Sequence, residues 1–243
     1  ETGYRGEWHA FRGYFTNVSE RAARELMIVF DASLLPGYVW SFPVADPDGR
    51  AVANIGFGIQ RGGKVAVGDM ADVWTSLLES PAIRRLIGDD AVPERRHTAW
   101  PIPARIDRHP RTGRRTFFVG DAAAATDVMT GEGIGQALLT GMLAAEAIVD
   151  TGPHGAVLAT EAYERAVDHH LLADHRLSAL LVRALQHRKG ARAAVRVAGT
   201  SAWTRRHFGR WLFEDYPRAL VATPSRWHRG MFHGPGVTFD HSR

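Results

Sequence analysis

The order of hydrophobic and polar residues predicts an antiparallel sheet over about the first sixty residues. The segments 25–31 and 51–59 are rich in β-formers and are bounded by charged residues or turn signals. Between them, Tyr38, Trp40 and Phe42 alternate with smaller residues. Because successive side chains of a strand point to opposite faces, the three aromatic rings are expected on one face of the sheet.

Helical patterns dominate the later part of the chain. Residues 69–80 and 81–87 predict two short helices, and 95–105 is predicted to be extended because its two prolines exclude helix. Residues 156–187 and 191–213 carry apolar positions at roughly helical spacing. The tail from residue 217 is rich in Pro, Gly and His and is predicted to be irregular.

The stretch 116–141 combines a short apolar segment with a glycine-rich helix start. Residues 116–119 predict a short buried strand, Gly120-Asp121 ends it, and Gly131-Glu132-Gly133 leads into an apolar helix that runs to about residue 150. Glycines let a backbone approach a ligand, and a helix start offers unpaired N–H groups and partial positive charge. The pattern is typical of a backbone held close to a polar cofactor, with an ordinary strand–loop–helix crossover as the alternative.

The residues of this stretch resemble the second flavin-binding motif of FAD-dependent oxidoreductases. Within that superfamily, the runs Gly120-Asp-Ala-Ala and Thr130-Gly-Glu-Gly-Ile-Gly-Gln are most similar to the geranylgeranyl reductase family. The resemblance implies that Asp121 binds the ribityl chain of FAD and that the backbone of 131–134 faces the pyrimidine end of the flavin ring. The chain departs from the family at Ala124, where Gly is frequent, and at Val128, where Pro is common. The implied cofactor-binding residues are Gly120, Asp121, Gly131, Glu132, Gly133 and Ile134.

A second resemblance lies in the predicted sheet. Tyr38-x-Trp40-x-Phe42-Pro, followed by Gly56-x-Gly58, resembles a substrate-domain signature of the same family. The three aromatic residues are the implied substrate-binding residues, because an aromatic stripe suits an apolar, chain-like ligand. The two glycines are expected to leave room for a group close to the sheet. Flavin-dependent halogenases carry a related Trp-rich motif, and a sheet face packed on the protein's own helices is the further alternative.

The fold class predicted from these patterns is α+β, as an α/β flavoprotein fragment with an antiparallel sheet, a strand–loop–helix segment and C-terminal helices. The sequence contains no Gly-x-Gly-x-x-Gly fingerprint, and its start resembles a strand from the middle of these flavoproteins. We therefore expect the C-terminal part of a longer enzyme, with a missing N-terminal FAD-binding unit as a partner. The predicted domains are a β substrate domain with short helices (1–105), the second half of the FAD-binding domain (106–150) and a basic helical region with an irregular tail (151–243).

Composition and charge bear on location and partners. The absence of cysteine excludes disulfides and thiolate chemistry, and no apolar run reaches 18 residues, so a cytoplasmic location is expected. Residues 151–243 hold 14 Lys/Arg against 7 Asp/Glu, whereas 1–150 hold 16 against 19. Such a basic region is typical of a solvated helix surface, and a membrane-peripheral contact is the alternative. No nucleic acid is expected, and no metal either, because the helical pair His170 and Asp174 lacks a further ligand set.

The resemblance implies a function in redox chemistry. It implies an FAD-dependent oxidoreductase that reduces carbon–carbon double bonds of a prenyl-type or other apolar small-molecule substrate, with hydride from reduced flavin and NAD(P)H or another reductant as electron donor. Catalytic residues, including a general acid, are unknown from the sequence. One alternative is an FAD-dependent aromatic hydroxylase or halogenase. The other is a non-catalytic fragment or binding module that is unable to hold FAD alone.

Overall fold

The chain combines an antiparallel sheet with nine-residue strands at its centre and a series of helices, which confirms the α+β class. The computed structural model describes residues 6–152, 154–213, 219 and 223–227. It divides into two compact units, unit 1 (Glu1–Ile102) and unit 2 (Pro103–Arg243). Most of the predicted irregular tail lies outside the described residues.

Unit 1 holds a sheet in which the long strands β1 and β4 pair over their full length. The strand order is β2-β3-β4-β1-β5, and β6 also pairs with β1; each of these pairings is antiparallel. The predicted helices at 69–80 and 81–87 are confirmed within a residue or two. The elements of unit 1 are β1 (Trp8–Thr16), α1 (Glu20–Arg24), β2 (Met27–Val29), β3 (Val39–Val44), β4 (Val52–Gln60), α2 (Met70–Glu79), α3 (Pro81–Ile87), β5 (Val92–Pro93) and β6 (Thr98–Ile102).

The core of unit 1 lies between one face of the sheet and its helices. Trp74 of α2 has its ring centroid 6.1 Å from the ring of Phe15 on β1 and 6.1 Å from that of Phe57 on β4. Val39 of β3 and Met70 of α2 are buried in the same cluster. Burying these side chains removes a large apolar area from water, which fixes the face of the sheet that the helices cover.

Unit 2 consists mainly of helices that follow a short hairpin. α5 continues through a π-helical turn (Asp168–Leu172) into α6, so the predicted helical region 156–187 is confirmed with one irregular turn. Its core packs Tyr163 and Val167 of α5 against Leu143 and Ala147 of α4. The elements of unit 2 are β7 (Thr112–Gly113), β8 (Thr116–Phe117), α4 (Ile134–Thr151), α5 (Ala156–Val167), α6 (Ala173–Leu185), α7 (Arg188–Gly199) and α8 (Ala202–Phe213).

Three boundaries differ from the sequence predictions. The predicted buried strand 116–119 is wrong in length and burial: β8 has two residues and pairs with β7, and Val119, beyond its end, is 37% exposed. A two-residue hairpin ladder is too small to cover both faces of a strand. The predicted strand 25–31 is shortened to β2, because Glu25 still caps the end of α1.

The predicted helix 191–213 is two helices. α7 ends at Gly199, and α8 begins after Ser201, whose Oγ accepts a hydrogen bond of 3.0 Å from the N–H of Thr204. This is an ordinary N-cap, and it starts a new helix. Among the described residues, no helix is both long enough and apolar enough to span a bilayer.

Candidate functional site

Gly120 brings the loop that carries Asp121 against the first turns of α4. Gly120 has φ +55°, and a Cβ atom there would lie 3.0 Å from the Cβ of Ala137. Its N–H donates a hydrogen bond of 3.0 Å to Oγ1 of Thr140, which is fully buried in α4. Only glycine combines this backbone conformation with so close an approach. Asp121 follows directly and is exposed.

The start of α4 lies beside Asp121. The Oδ1 atom of Asp121 accepts a hydrogen bond of 3.0 Å from Oγ1 of Thr126. A Cβ atom on Gly133, the N-cap of α4, would lie 3.0 Å from that same Oγ1 and 3.8 Å from Oδ1 of Asp121. Gly131 precedes it with φ +71°. The predicted carboxylate and glycine-opened helix start are therefore neighbours, and the absence of a side chain at Gly133 makes room for the side chain of Thr126 between them.

Glu132 caps the same helix start with its own side chain. Its Oε1 atom accepts a hydrogen bond of 2.8 Å from the N–H of Gly135. One of the N–H groups that a helix start offers to an anion is thus already satisfied by a carboxylate of the protein. Ile134, the first residue of α4, is 79% exposed. A ligand that uses the N–H of Gly135 must first displace Glu132.

Asp127 shapes the loop between Asp121 and α4, and the sequence analysis missed it. Its buried carboxylate accepts hydrogen bonds on Oδ1 from the N–H of Met129 (2.9 Å) and from the N–H and Oγ1 of Thr130 (2.8 and 3.0 Å). Its Oδ2 accepts a bond of 3.0 Å from Oγ of Ser178 on α6. The local bonds form an Asx turn, for which the Asp itself is the recognisable signal. Ser178 lies 51 residues away and has no local signal.

A buried histidine lies one helical turn before Ser178. Nε2 of His175 is 3.0 Å from Oδ1 of Asp107, which also accepts a 3.0 Å hydrogen bond from Nε of Arg105. Burial lowers the pKa of His175 below its ordinary value, and this effect outweighs the attraction of Asp107 and Asp127 for a proton on the ring. Burial alone would raise the pKa of Asp107, but hydrogen bonding to Arg105 and the neighbouring charges lower it.

The aromatic stripe of β3 lies on the face of the sheet opposite the core. Tyr38, Trp40 and Phe42 are half-buried on one side, whereas Val39 and Ser41 are buried on the other. The ring centroid of Trp40 is 6.0 Å from that of Tyr38 and 6.0 Å from that of Phe42. The buried core cluster of unit 1 includes Val39 and none of the three aromatic residues. The predicted alternation is confirmed, and their binding of a substrate stays a prediction.

Gly56 of β4 makes room for the protein's own indole ring. A Cβ atom on Gly56 would lie 2.3 Å from Cζ2 of Trp40, and one on Gly58 would lie 3.9 Å from Cζ3. Nε1 of Trp40 donates a hydrogen bond of 3.0 Å to Oδ1 of Asn54 on the same strand. The group for which Gly56 leaves room close to the sheet is therefore the indole ring of Trp40.

Further residues of this face were missed by the sequence analysis. The strand register places Arg12 of β1 opposite Gly56, which itself pairs with Trp40, and places Ala10 of β1 opposite Trp100 of β6. Strands β1 and β6 therefore contribute side chains to the same face of the sheet as Trp40. The guanidinium of Arg12 lies 5.3 Å from the ring centroid of Tyr14. Trp100 is 67% exposed. The alternation of β1 was a usable signal, but only the register could bring β6 to this face.

Asp174, one member of the helical pair His170 and Asp174 considered for metal binding, makes other contacts. Asp174 forms an ion pair of 2.7 Å with Arg226, and its carboxylate also accepts the N–H of Ala219. Among the described residues, no group of three or more His, Asp or Glu is arranged to hold a metal ion.

Proteins of known name resemble the chain over about half of its length. No family model matches the chain. Digeranylgeranylglycerophospholipid reductase 1 of Methanopyrus kandleri is 32% identical over 128 residues, which is 52% of this chain and 32% of that protein. The digeranylgeranylglycerophospholipid reductase of Methanothrix thermoacetophila is 32% identical over 124 residues, which is 49% of this chain and 27% of that protein.

Solved structures with the same fold cover more of the chain. A geranylgeranyl bacteriochlorophyll reductase-like protein of Thermoplasma acidophilum superposes with a TM-score of 0.62 at 18% identity, over 88% of this chain and 53% of that protein. A flavin-dependent brominase superposes with a TM-score of 0.58 at 17% identity, over 84% of this chain and 50% of that protein. The chain thus matches about a third of the curated relatives' length and about half of the solved structures.

Proposed function

We propose, from the premise that the chain is related to the geranylgeranyl reductase family, that it supplies the flavin-ring half and the substrate face of an FAD-dependent reductase acting on carbon–carbon double bonds. The observation that carries the proposal is the position of Asp121 beside the bare backbone of Gly133 at the start of α4. The substrate class is a prenyl-type or other apolar molecule. NAD(P)H or another reductant is the proposed source of electrons.

Each group of residues has a definite part in this proposal. Reduced FAD, when bound, would supply the hydride for the double bond. Asp121 would accept a hydrogen bond from a ribityl hydroxyl, and the N–H groups at the start of α4 would favour negative charge at the ring edge. Glu132 would release the N–H of Gly135 as the ring enters. The rings of Tyr38, Trp40 and Phe42 would hold the apolar substrate.

We propose that the exposed side of α4 is the surface against which the rest of a flavin site packs. An apolar stripe runs along one side of this helix from the cofactor loop onward. Solvent-exposed apolar stripes of this kind are typical of surfaces that another unit covers. The chain covers only about half of the length of the solved neighbours. We assign this stripe to an N-terminal nucleotide-binding unit. Its residues, with their exposed fractions, are Ile134 (79%), Leu138 (66%), Met142 (48%) and Val149 (77%).

The reductase is preferred to the halogenase for a specific reason. The brominase shares the fold at 17% identity, which carries no information about chemistry. The curated relatives above 30% identity are reductases by name. Oxygen consumption coupled to product formation would favour the hydroxylase or halogenase, and saturation of an alkene would favour the reductase.

Flavin fragments test the proposed site on this chain directly. We expect FMN, which carries the ring and ribityl chain, to shift the backbone amide signals of 120–122 and 131–135 in ¹⁵N–¹H spectra. AMP, which represents the adenosine half of FAD, is expected to leave those signals unchanged. FAD is expected to bind with an affinity similar to that of FMN, because the adenosine half has no partner in this proposal.

Substitution of Asp121 provides the matched comparison. Asp121→Asn should weaken FMN binding by roughly tenfold, because one charge-assisted hydrogen bond is lost. Asp31→Asn, an exposed carboxylate of unit 1 that also caps a local turn, should leave it unchanged. Unchanged FMN shifts in Asp121→Asn, or AMP shifts in the same loop, would contradict the assignment.

A further inference from the structure

The last helices of unit 2 form a strongly basic surface. The sequence from 175 to 213 contains nine Lys or Arg and no Asp or Glu. α7 packs against both α6 and α8. We call the exposed cations of α6 and α7 the basic face: Arg176, Arg183, Arg188, Lys189, Arg192 and Arg196.

α7 directs its cations away from the protein. Arg188, Arg192 and Arg196 recur every four residues and therefore lie on one side of the helix. Ala194 on the opposite side is half-buried, and Ala191 at the flank of the helix is buried. The small residues pack against the rest of unit 2, and the cations face outward.

The cations of α7 lack counter-charges within the described part of the chain, where Arg188, Lys189, Arg192 and Arg196 form no ion pair. Unit 1 differs in this respect. There, the exposed arginines of α1 pair with glutamates one turn away at 2.8 Å. Mutual repulsion among four unpaired cations on one helix is unfavourable unless an anionic partner neutralises it.

Apolar side chains are exposed on the same three helices. Val195 and Val197 of α7 are 51% and 63% exposed, Leu180 of α6 is 60% exposed, and Trp203 of α8 is 59% exposed. A phosphodiester backbone would leave such side chains in water. A lipid bilayer would take them into the boundary between headgroups and acyl chains, where tryptophan is also favoured.

We propose that the basic face, with the apolar side chains beside it, binds the surface of an anionic lipid bilayer. The occupant is argued from charge complementarity and from the exposed aliphatic and indole groups, and it does not depend on the flavin chemistry proposed above. Binding of this kind combines electrostatic attraction to anionic headgroups with shallow insertion of apolar groups. It places the chain where apolar substrates reside.

Vesicle sedimentation with the 243-residue chain tests this proposal. We expect partitioning onto phosphatidylcholine vesicles that contain about one-third phosphatidylglycerol, little partitioning onto phosphatidylcholine alone, and release by added salt. The quadruple variant Arg188→Gln, Lys189→Gln, Arg192→Gln and Arg196→Gln should lower the partition coefficient by on the order of a hundredfold or more. Val195→Ser with Val197→Ser should lower it by roughly tenfold with every charge retained.

A charge-matched control separates the basic face from net charge. Changing Arg21, Arg24, Arg84 and Arg85 to Gln removes the same four charges from α1 and α3. This control should keep most of the binding. An equal loss in both quadruple variants, equal binding to neutral vesicles, absence of binding, or tighter binding to duplex DNA or RNA than to vesicles at the same salt would each overturn the proposal. The valine pair decides the case if the quadruple variant of α7 fails to fold by circular dichroism.

Discussion

At the scale of single residues, Asp127 links the cofactor loop to a distant helix. Its two carboxylate oxygens accept donors from the loop and from Ser178 of α6, in a buried setting. Buried charged groups are tolerated when their hydrogen-bonding capacity is filled, and removal of one partner leaves the other unsatisfied. The shape of the loop that presents Gly131 and Glu132 therefore depends on residues that have no direct part in ligand binding.

We expect Ser178→Ala to lower the free energy of unfolding by about 1–2 kcal/mol, because a buried hydrogen bond to a carboxylate is lost. Asp127→Ala should cost more, about 3 kcal/mol or above, since it strands several buried donors. Urea denaturation followed by circular dichroism measures both. Ser76→Ala, at an exposed position of α2, serves as the control and should change stability by no more than about 0.5 kcal/mol. A Ser178→Ala effect as small as the control would show that the bond contributes nothing.

The residues around Asp121 show what the sequence could and could not reveal. The Gly-Asp pair and the glycines at 131 and 133 were found because their backbone demands leave a mark in the sequence. Ala124 has φ +51°, which explains why family members carry glycine there. The capping of α4 by Glu132 and the contact of Asp127 with Ser178 depend on three-dimensional placement, and no residue pattern predicted either.

At the scale of elements, the absence of a side chain at Gly56 of β4 lets the indole of Trp40 on β3 pack against the β4 backbone. Trp40 and Gly56 are directly paired, and the indole lies where a Cβ atom on Gly56 would be. The backbone oxygen of Phe11 on β1 closes the other side, 2.4 Å from that Cβ position. Neither neighbour is the free end of a flexible side chain, so the strand cannot accept a methyl group without movement.

We predict that Gly56→Ala destabilises the protein by about 2–3 kcal/mol, because the added methyl group must displace Trp40 or the β1 backbone. The near-ultraviolet circular dichroism should also change as the indole moves. Gly58→Ala is the matched control on the same strand and face, where the nearest atoms are 3.9 Å from the new Cβ. It should alter stability by no more than about 1 kcal/mol. Equal effects of the two substitutions would contradict this account of Gly56.

Element boundaries were predictable where they depended on local chemistry. The paired helices α2 and α3 were found because Pro81 suits a first turn, and the aromatic alternation of β3 gave the correct face. The sequence prediction missed the end of α7, although Gly199-Thr-Ser precedes α8. The apolar positions on both sides of Ser201 keep a helical spacing, so the cap at Ser201 was not recognised. The shortness of β8 was missed because strand length depends on which neighbours a strand has, and these are not local.

At the scale of the whole molecule, the two units each have their own apolar core, and unit 2 also buries ionisable groups. His175, Asp107 and Arg105 form one connected cluster, with Asp127 close enough to influence the charge of the imidazole. Such groups couple global stability to pH, because their proton affinities differ between the folded and unfolded chain. The other histidine with a lowered pKa, His9 in unit 1, owes it to burial and then to Arg61 and acts in the same direction.

The pKa of His175 is lowered by burial from an ordinary value of 6.5, so the unfolded chain binds the proton more readily than the folded chain. Its contribution to stability is therefore fully present above pH 6.5 and declines as the pH falls below 6.5, until the folded imidazole also takes up a proton. We expect the free energy of unfolding, measured by urea denaturation at successive pH values from 8 to 5, to decrease over this window. In His175→Gln the free energy of unfolding should depend less steeply on pH, because one titrating group is removed, while the pH dependence due to His9 persists. The lowered pKa of Asp107 adds a further loss only at more acidic pH, below the ordinary range of a carboxyl group. A His175→Gln variant with the same slope as the parent chain would show that the imidazole is not held neutral by its burial.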